Sequence, residues 1–147
     1  MEKKTFPRDK TCGDGLTPRA VHQLEDMGLG DELSRFHRYH GLRATGMGRE
    51  LELEWPTHPV YPQHGYVVRR RDLDLMVARN AERAGATLLE HHEALEPIVE
   101  RGFVQGAVVK DAQGETKEIR ARFVVVADGA NSRFGRALGT FRRSEER

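Results

Sequence analysis

Phe123-Val124-Val125-Val126-Ala127-Asp128-Gly129-Ala130-Asn131-Ser132-Arg133-Phe134-Gly135-Arg136-Ala137-Leu138-Gly139 decides how this chain is read. Its opening residues, 123–127, are apolar without alternation and rich in β-branched side chains. A run of that kind predicts a central parallel strand covered on both faces. It stops at Asp128-Gly129. In open parallel α/β sheets, ligands bind where strands end and the chain turns away. Gly permits a sharp backbone turn, and Asp offers acceptors to hydroxyl or backbone N–H groups. On its own the pair reads first as an ordinary strand-to-loop turn.

Working outward, the neighbouring segments support an α/β pattern. Residues 66–69 predict a short strand feeding a helix over 72–84. Along that helix Leu73, Met76, Val77, Asn80, Ala81 and Ala84 share one face, apolar or small except for Asn80. Gly85 ends it, and 86–91 predict a strand, completing strand–helix–strand order. Strands are also predicted over 102–110 and 116–122, joined by the turn Asp111-Ala112-Gln113-Gly114. Toward the N-terminus, residues 49–55 alternate polar and apolar, which predicts a half-buried strand with Leu51, Leu53 and Trp55 facing a core. Residues 41–47 are its hairpin partner, and the proline-rich stretch 56–65 is a loop. Thr17-Pro18 opens a helix that runs to Met27 and stops at Gly28. A further helical turn is expected over 31–36, and residues 2–16 form a polar loop.

Composition narrows the function. Lys+Arg number 24 against Asp+Glu 23, so no basic face argues for nucleic acid. Cys12 is the sole cysteine, which excludes an intrachain disulfide and fits a reducing, cytoplasmic setting. No stretch approaches the roughly 18 apolar residues of a membrane span, which leaves surface contact with a membrane open. The 7 histidines lack metal-site spacing: His91 and His92 would point to opposite faces of a strand, and His37 and His40 have no carboxylate or cysteine partners nearby. No metal site is expected.

The quoted run resembles the Asp-Gly segment of the glutathione-reductase-like flavoproteins. Aromatic-ring hydroxylases and the geranylgeranyl reductase family share that segment. Pro7-Arg8-Asp9-Lys10-Thr11-Cys12-Gly13-Asp14-Gly15-Leu16 resembles the second group specifically, and its menaquinone-reducing branch most of all. The resemblance implies FAD as cofactor, with Asp128 and Gly129 touching it. It places Cys12-Gly13 near the isoalloxazine ring, where glycine allows close approach and a thiol is small and polarisable. By the residues alone Cys12 is equally a buried, inert cysteine, and nothing marks it as a nucleophile. Glu2 would end the second strand of the nucleotide-binding fold and meet the adenosine ribose hydroxyls; without the family it is a solvated glutamate. Arg8 would lie near phosphate or flavin oxygens, or be ordinary loop charge. Arg70-Arg71-Asp72-Leu73-Asp74 matches an Arg-x-x-Leu-Asp pattern that places Arg70 beside the ribityl or pyrophosphate part of FAD.

What the resemblance implies, then, is an α/β chain with a partial glutathione-reductase-like FAD-binding fold and an incomplete Rossmann sheet. Residues 1–40 and 66–139 would form the FAD-binding part, 41–65 inserted strands of the substrate region, and 140–147 a charged tail. The Gly-x-Gly-x-x-Gly loop, its strand and its helix do not occur, and neither does the family's later Gly-Asp segment. The expectation is a chain cut at both ends, marginally stable and weak in flavin binding. The implied function is reduction of carbon–carbon double bonds in a polyisoprenoid chain, with the electron donor unassigned. An aromatic monooxygenase and a non-catalytic folded remnant are the alternatives.

Overall fold

The structure is a computed structural model and describes residues 1–140. Two compact units divide the chain: residues 6–87, and residues 1–5 together with the chain from Leu88 on. The charged tail expected over 140–147 lies, from residue 141, outside the described residues.

The first unit runs β1 (Gly15–Leu16), α1 (Pro18–Asp26), α2 (Gly30–Leu33), β2 (His37–Tyr39), β3 (Gly41–Gly46), β4 (Arg49–Glu54), β5 (Gly65–Val67) and α3 (Arg70–Arg83). Helix α1 starts where Thr17-Pro18 predicts, with Thr17 extended and Pro18 in the first turn. It closes at Met27, and Gly28 follows with φ 78°. Its apolar side supplies Val21 and Leu24 to a core with Leu16, Leu29, Leu33, Tyr66 and Val68. β5 lies between β1 and β2, antiparallel to both. Gly65 is required at that centre, because a Cβ there would run into the Leu16 carbonyl and the Tyr39 ring.

Helix α3 begins two residues before the expected start. The carboxylate of Asp14, 56 positions away in sequence, accepts the Arg70 backbone N–H at 3.0 Å and satisfies one of the helix's orphan donors. Leu73, Met76 and Val77 pack against the core cluster as the periodicity predicts. Asn80, the polar member of that face, donates its side-chain amide to the Met27 carbonyl at 2.9 Å. Ala81 and Ala84 are exposed.

Strands β3 and β4 pair as the predicted hairpin in their own two-stranded sheet, Leu42 opposite Leu53 and Ala44 opposite Leu51. Met47 and Gly48, both at positive φ, make the tight turn between them. The expectation that Leu51 and Leu53 face a core is corrected: they are 56% and 49% exposed. Alternation puts them on one face, but no layer of this unit covers that face among the described residues. Trp55 is half-buried, its ring centroid 6.1 Å from that of Tyr39.

The second unit holds β6 (Glu93–Glu100), β7 (Phe103–Lys110), β8 (Thr116–Arg120) and α4 (Arg133–Ala137), its strands an antiparallel meander with β7 in the middle. Asp111 builds the predicted β7–β8 turn, its carboxylate accepting the N–H groups of Gln113 and Glu115. β6 lies where no strand is predicted, and its Pro97 is tolerated because β6 is an edge strand. Ala107, Val109 and Phe134 form the core, with Ile119, Val124 and Leu138 against it.

Two predicted strands do not form. The run 123–127 carries no strand: Phe123 and Val125 are 83% and 89% exposed while Val124 faces the core. A covered strand needs a ladder partner on each side, and every paired strand among the described residues is antiparallel and elsewhere. Residues 86–91 likewise form none. The Leu89 carbonyl and the His92 N–H bond to the backbone of Glu2, at 2.8 and 3.1 Å, and His91 between them adopts φ 56°, which breaks an extended ladder.

Candidate functional site

Of the residues singled out in sequence, Arg8, Cys12, Gly13 and Arg70 all fall in the first unit, on the loop before β1 and the first turn of α3. Asp74 draws two of them, Arg8 and Arg70, together. Arg70 donates through Nε and Nη2 to Asp74 Oδ1 at 3.0 and 2.7 Å. Arg8 Nη1 meets Asp74 Oδ2 at 3.2 Å. The carboxylate thus bridges two guanidinium groups, one on each oxygen. Its side chain is only 11% exposed, against 19% for Arg8 and 20% for Arg70. The hydrogen bond that Arg70 donates to Asp74 holds its pKa above the ordinary value, and the Cys12 side chain beside the guanidinium adds to it.

Cys12 is exposed, which corrects the buried alternative for it. Gly13 stands in loop backbone, and a Cβ built there meets no atom of the chain within 4 Å. Its missing side chain therefore answers no internal packing need; it leaves room outside. The other arginines of the run are occupied differently: Arg69 pairs with Asp72 at 2.8 Å and Arg71 with Asp9 at 3.9 Å, both at the surface.

Asp128, Gly129 and Glu2 belong to the second unit. Gly129 has φ 89°, the left-handed conformation that turns the chain after Asp128. Asp128 Oδ2 accepts from the Ser132 hydroxyl at 2.7 Å, and Ser132 Oγ accepts the Gly135 N–H at 2.6 Å. Ser132 is the N-cap of α4, so the exposed Asp128 carboxylate is oriented through the cap of a short helix. Glu2 receives the Lys4 N–H on Oε1 at 3.0 Å and pairs by backbone with residues 89 and 92.

Sequence reasoning missed the bridging carboxylate and the remote cap. The Arg70–Asp74 spacing of four carried the signal for an ion pair. Asp14 had no local signal, because its partner is brought to it only by the fold. Among the described residues no three His, Cys, Asp or Glu side chains gather as metal ligands.

The whole chain, residues 1–147, matches the family model described as the FAD binding domain. The chain belongs to that family, and its structure is part of the corresponding α/β fold. Menaquinone reductase of Mycobacterium tuberculosis is 40% identical over 146 residues, which cover 95% of this chain and 33% of that protein. Digeranylgeranylglycerophospholipid reductase of Methanosphaerula palustris is 39% identical over 128 residues, 87% of this chain and 31% of that one. Among solved structures, the myxobacterial chondrochloren halogenase superposes with a TM-score of 0.83 at 30% identity, over 92% of this chain and 32% of the halogenase. The chain spans about a third of the length of these relatives.

The residues of the first unit fit a flat, anionic cofactor such as FAD. Two oriented guanidinium groups suit phosphate oxygens, and Gly13 leaves open space next to Cys12 for a planar ring.

Proposed function

We propose that this chain supplies FAD-contacting segments of an oxidoreductase that reduces carbon–carbon double bonds in a polyisoprenoid chain, such as that of menaquinone or a geranylgeranyl group. The observation that carries it is the gathering of Arg8 and Arg70 on Asp74, with Cys12 beside the Arg70 guanidinium and an open Gly13 next to it. It stands within a stretch 40% identical to menaquinone reductase. Bound FAD supplies hydride-transfer chemistry. The chain's own residues bind and orient: Arg8 and Arg70 meet anionic oxygens, Cys12-Gly13 border the ring, and Glu2, Asp128 and Gly129 keep the contacts that the resemblance implies. The apolar face of β3 and β4, with Leu42, Leu51 and Leu53 about half exposed, suits an isoprenoid tail. No described helix is long and apolar enough to cross a membrane. Work on a lipid-borne substrate would then take place at the cytoplasmic face of a membrane, through peripheral contact.

The test is an FAD titration of the purified chain followed by flavin fluorescence. Saturable binding is expected, and Asp128→Ala and Arg70→Gln should each weaken it by about tenfold, equivalent to about 1.4 kcal/mol. A folded chain that binds no FAD overturns the proposal and leaves a non-catalytic remnant as the better reading. The resemblance to the halogenase favours one other chemistry on the same fold, oxygen-dependent modification of an aromatic substrate. Oxygen consumption coupled to an aromatic compound, with no turnover of isoprenoid alkenes, would select it.

A further inference from the structure

We infer that Asp74 is a positioning residue for the cofactor phosphates, holding Arg8 and Arg70 in the orientation that FAD binding uses; this rests on the FAD-binding reading above. A carboxylate at an anion site is at first sight a misplaced charge, since it repels the ligand through the same field that the arginines use to attract it. Its geometry argues for another role. Arg70 engages one oxygen with two of its nitrogens, and Arg8 engages the other oxygen. The two arginines come from a loop and a helix more than sixty residues apart in sequence, and Asp74 is the group that both contact. An arginine side chain carries about 2 kcal/mol of rotamer entropy, which an anion would otherwise have to remove on binding. A shared, nearly buried carboxylate removes part of it beforehand. The two cations and one anion still leave one net positive charge for the ligand.

The two views predict opposite signs. If charge alone mattered, Asp74→Asn would strengthen FAD binding by removing a repulsive group. If Asp74 positions the arginines, the same change weakens it, because the amide oxygen serves only one guanidinium and the amide N–H₂ turns the other away.

The experiment titrates the full chain with FAD and, separately, with riboflavin, which has the ring and ribityl chain but no phosphate. Asp74→Asn is expected to weaken FAD binding about tenfold while leaving riboflavin affinity unchanged. Asp74→Glu keeps charge and both acceptors but lengthens the arm, so it should retain the fold and lose FAD affinity by only about two- to threefold. Where the Asn variant does not fold, the Glu variant decides alone by that selective loss. Unchanged or tighter FAD binding in a folded Asn variant, or in the Glu variant alone, overturns the inference. So does equal weakening of FAD and riboflavin, which marks a general structural role. A wild-type chain that binds no FAD removes the FAD-binding reading itself and this role with it.

Discussion

His64 shows how far a single side chain is governed by neighbours that its own sequence does not reveal. Arg38 Nη2 lies 3.0 Å from His64 Nε2, and a guanidinium can only donate, so that ring nitrogen must be the acceptor and unprotonated. Burial lowers the His64 pKa below its ordinary 6.5; Arg38 and His40 lower it further, and Glu25 opposes them. The sign of the consequence follows from proton uptake. Between the lowered folded value and 6.5 the unfolded chain binds more protons at this site, so stability rises with pH there. The contribution is complete above pH 6.5 and is lost as pH falls through the folded value. Urea melts between pH 7.5 and 5 should show this decline, and His64→Gln should make it shallower. An identical pH profile in the variant would show that the Arg38–His64 contact has no such effect. At the same scale Asp74, Asp14 and Ser132 illustrate what was hard to read: each matters through a partner, and while Asp74 meets Arg70 and Ser132 meets Gly135 within about one helical turn, Asp14 finds its partner 56 positions away.

At the level of elements, helices were the more legible. Thr17-Pro18, Gly28 and the Leu73–Met76–Val77 face are local signals, and helices make their hydrogen bonds locally. Strands take theirs from elsewhere in the chain. The hairpins β3–β4 and β7–β8 were readable because their partners are adjacent in sequence, with tight turns between them. The run 123–127 was not, because a covered strand depends on neighbours that are not adjacent. The contrast can be measured. Leu33→Ala, at a fully buried position, should cost about 2–5 kcal/mol in chemical denaturation. Val125→Thr, at a position 89% exposed, should change stability by no more than about 0.5 kcal/mol. A loss of several kcal/mol for Val125→Thr would mean that the segment is buried in solution and contradict its exposure.

Among the described residues, each unit keeps a small core of its own: seven buried apolar residues in one and three in the other. Stability of that kind responds measurably to a ligand, because anything that binds the native state alone raises it by mass action. FAD at a hundred times its Kd should stabilise the chain by about 2.7 kcal/mol. A thermal melt that moves upward with FAD concentration checks this, and a melt that FAD does not move contradicts specific binding to the folded chain. Family membership was legible in the sequence itself, because Cys12-Gly13, Arg70 through Asp74 and Asp128-Gly129 are short strings whose identities survive without any coordinates. Charge balance, cysteine count and the ends of α1 were determined there too, since each depends on residue type and near neighbours. Tertiary structure alone decided that Asp74 joins Arg8 to Arg70, that Asp14 caps a helix 56 positions away, and that Leu51, Leu53 and Val125 stay exposed. The reason is physical: periodicity says which side chains share a face, but burial and ion pairing require a second surface, and only the folded chain determines whether one arrives.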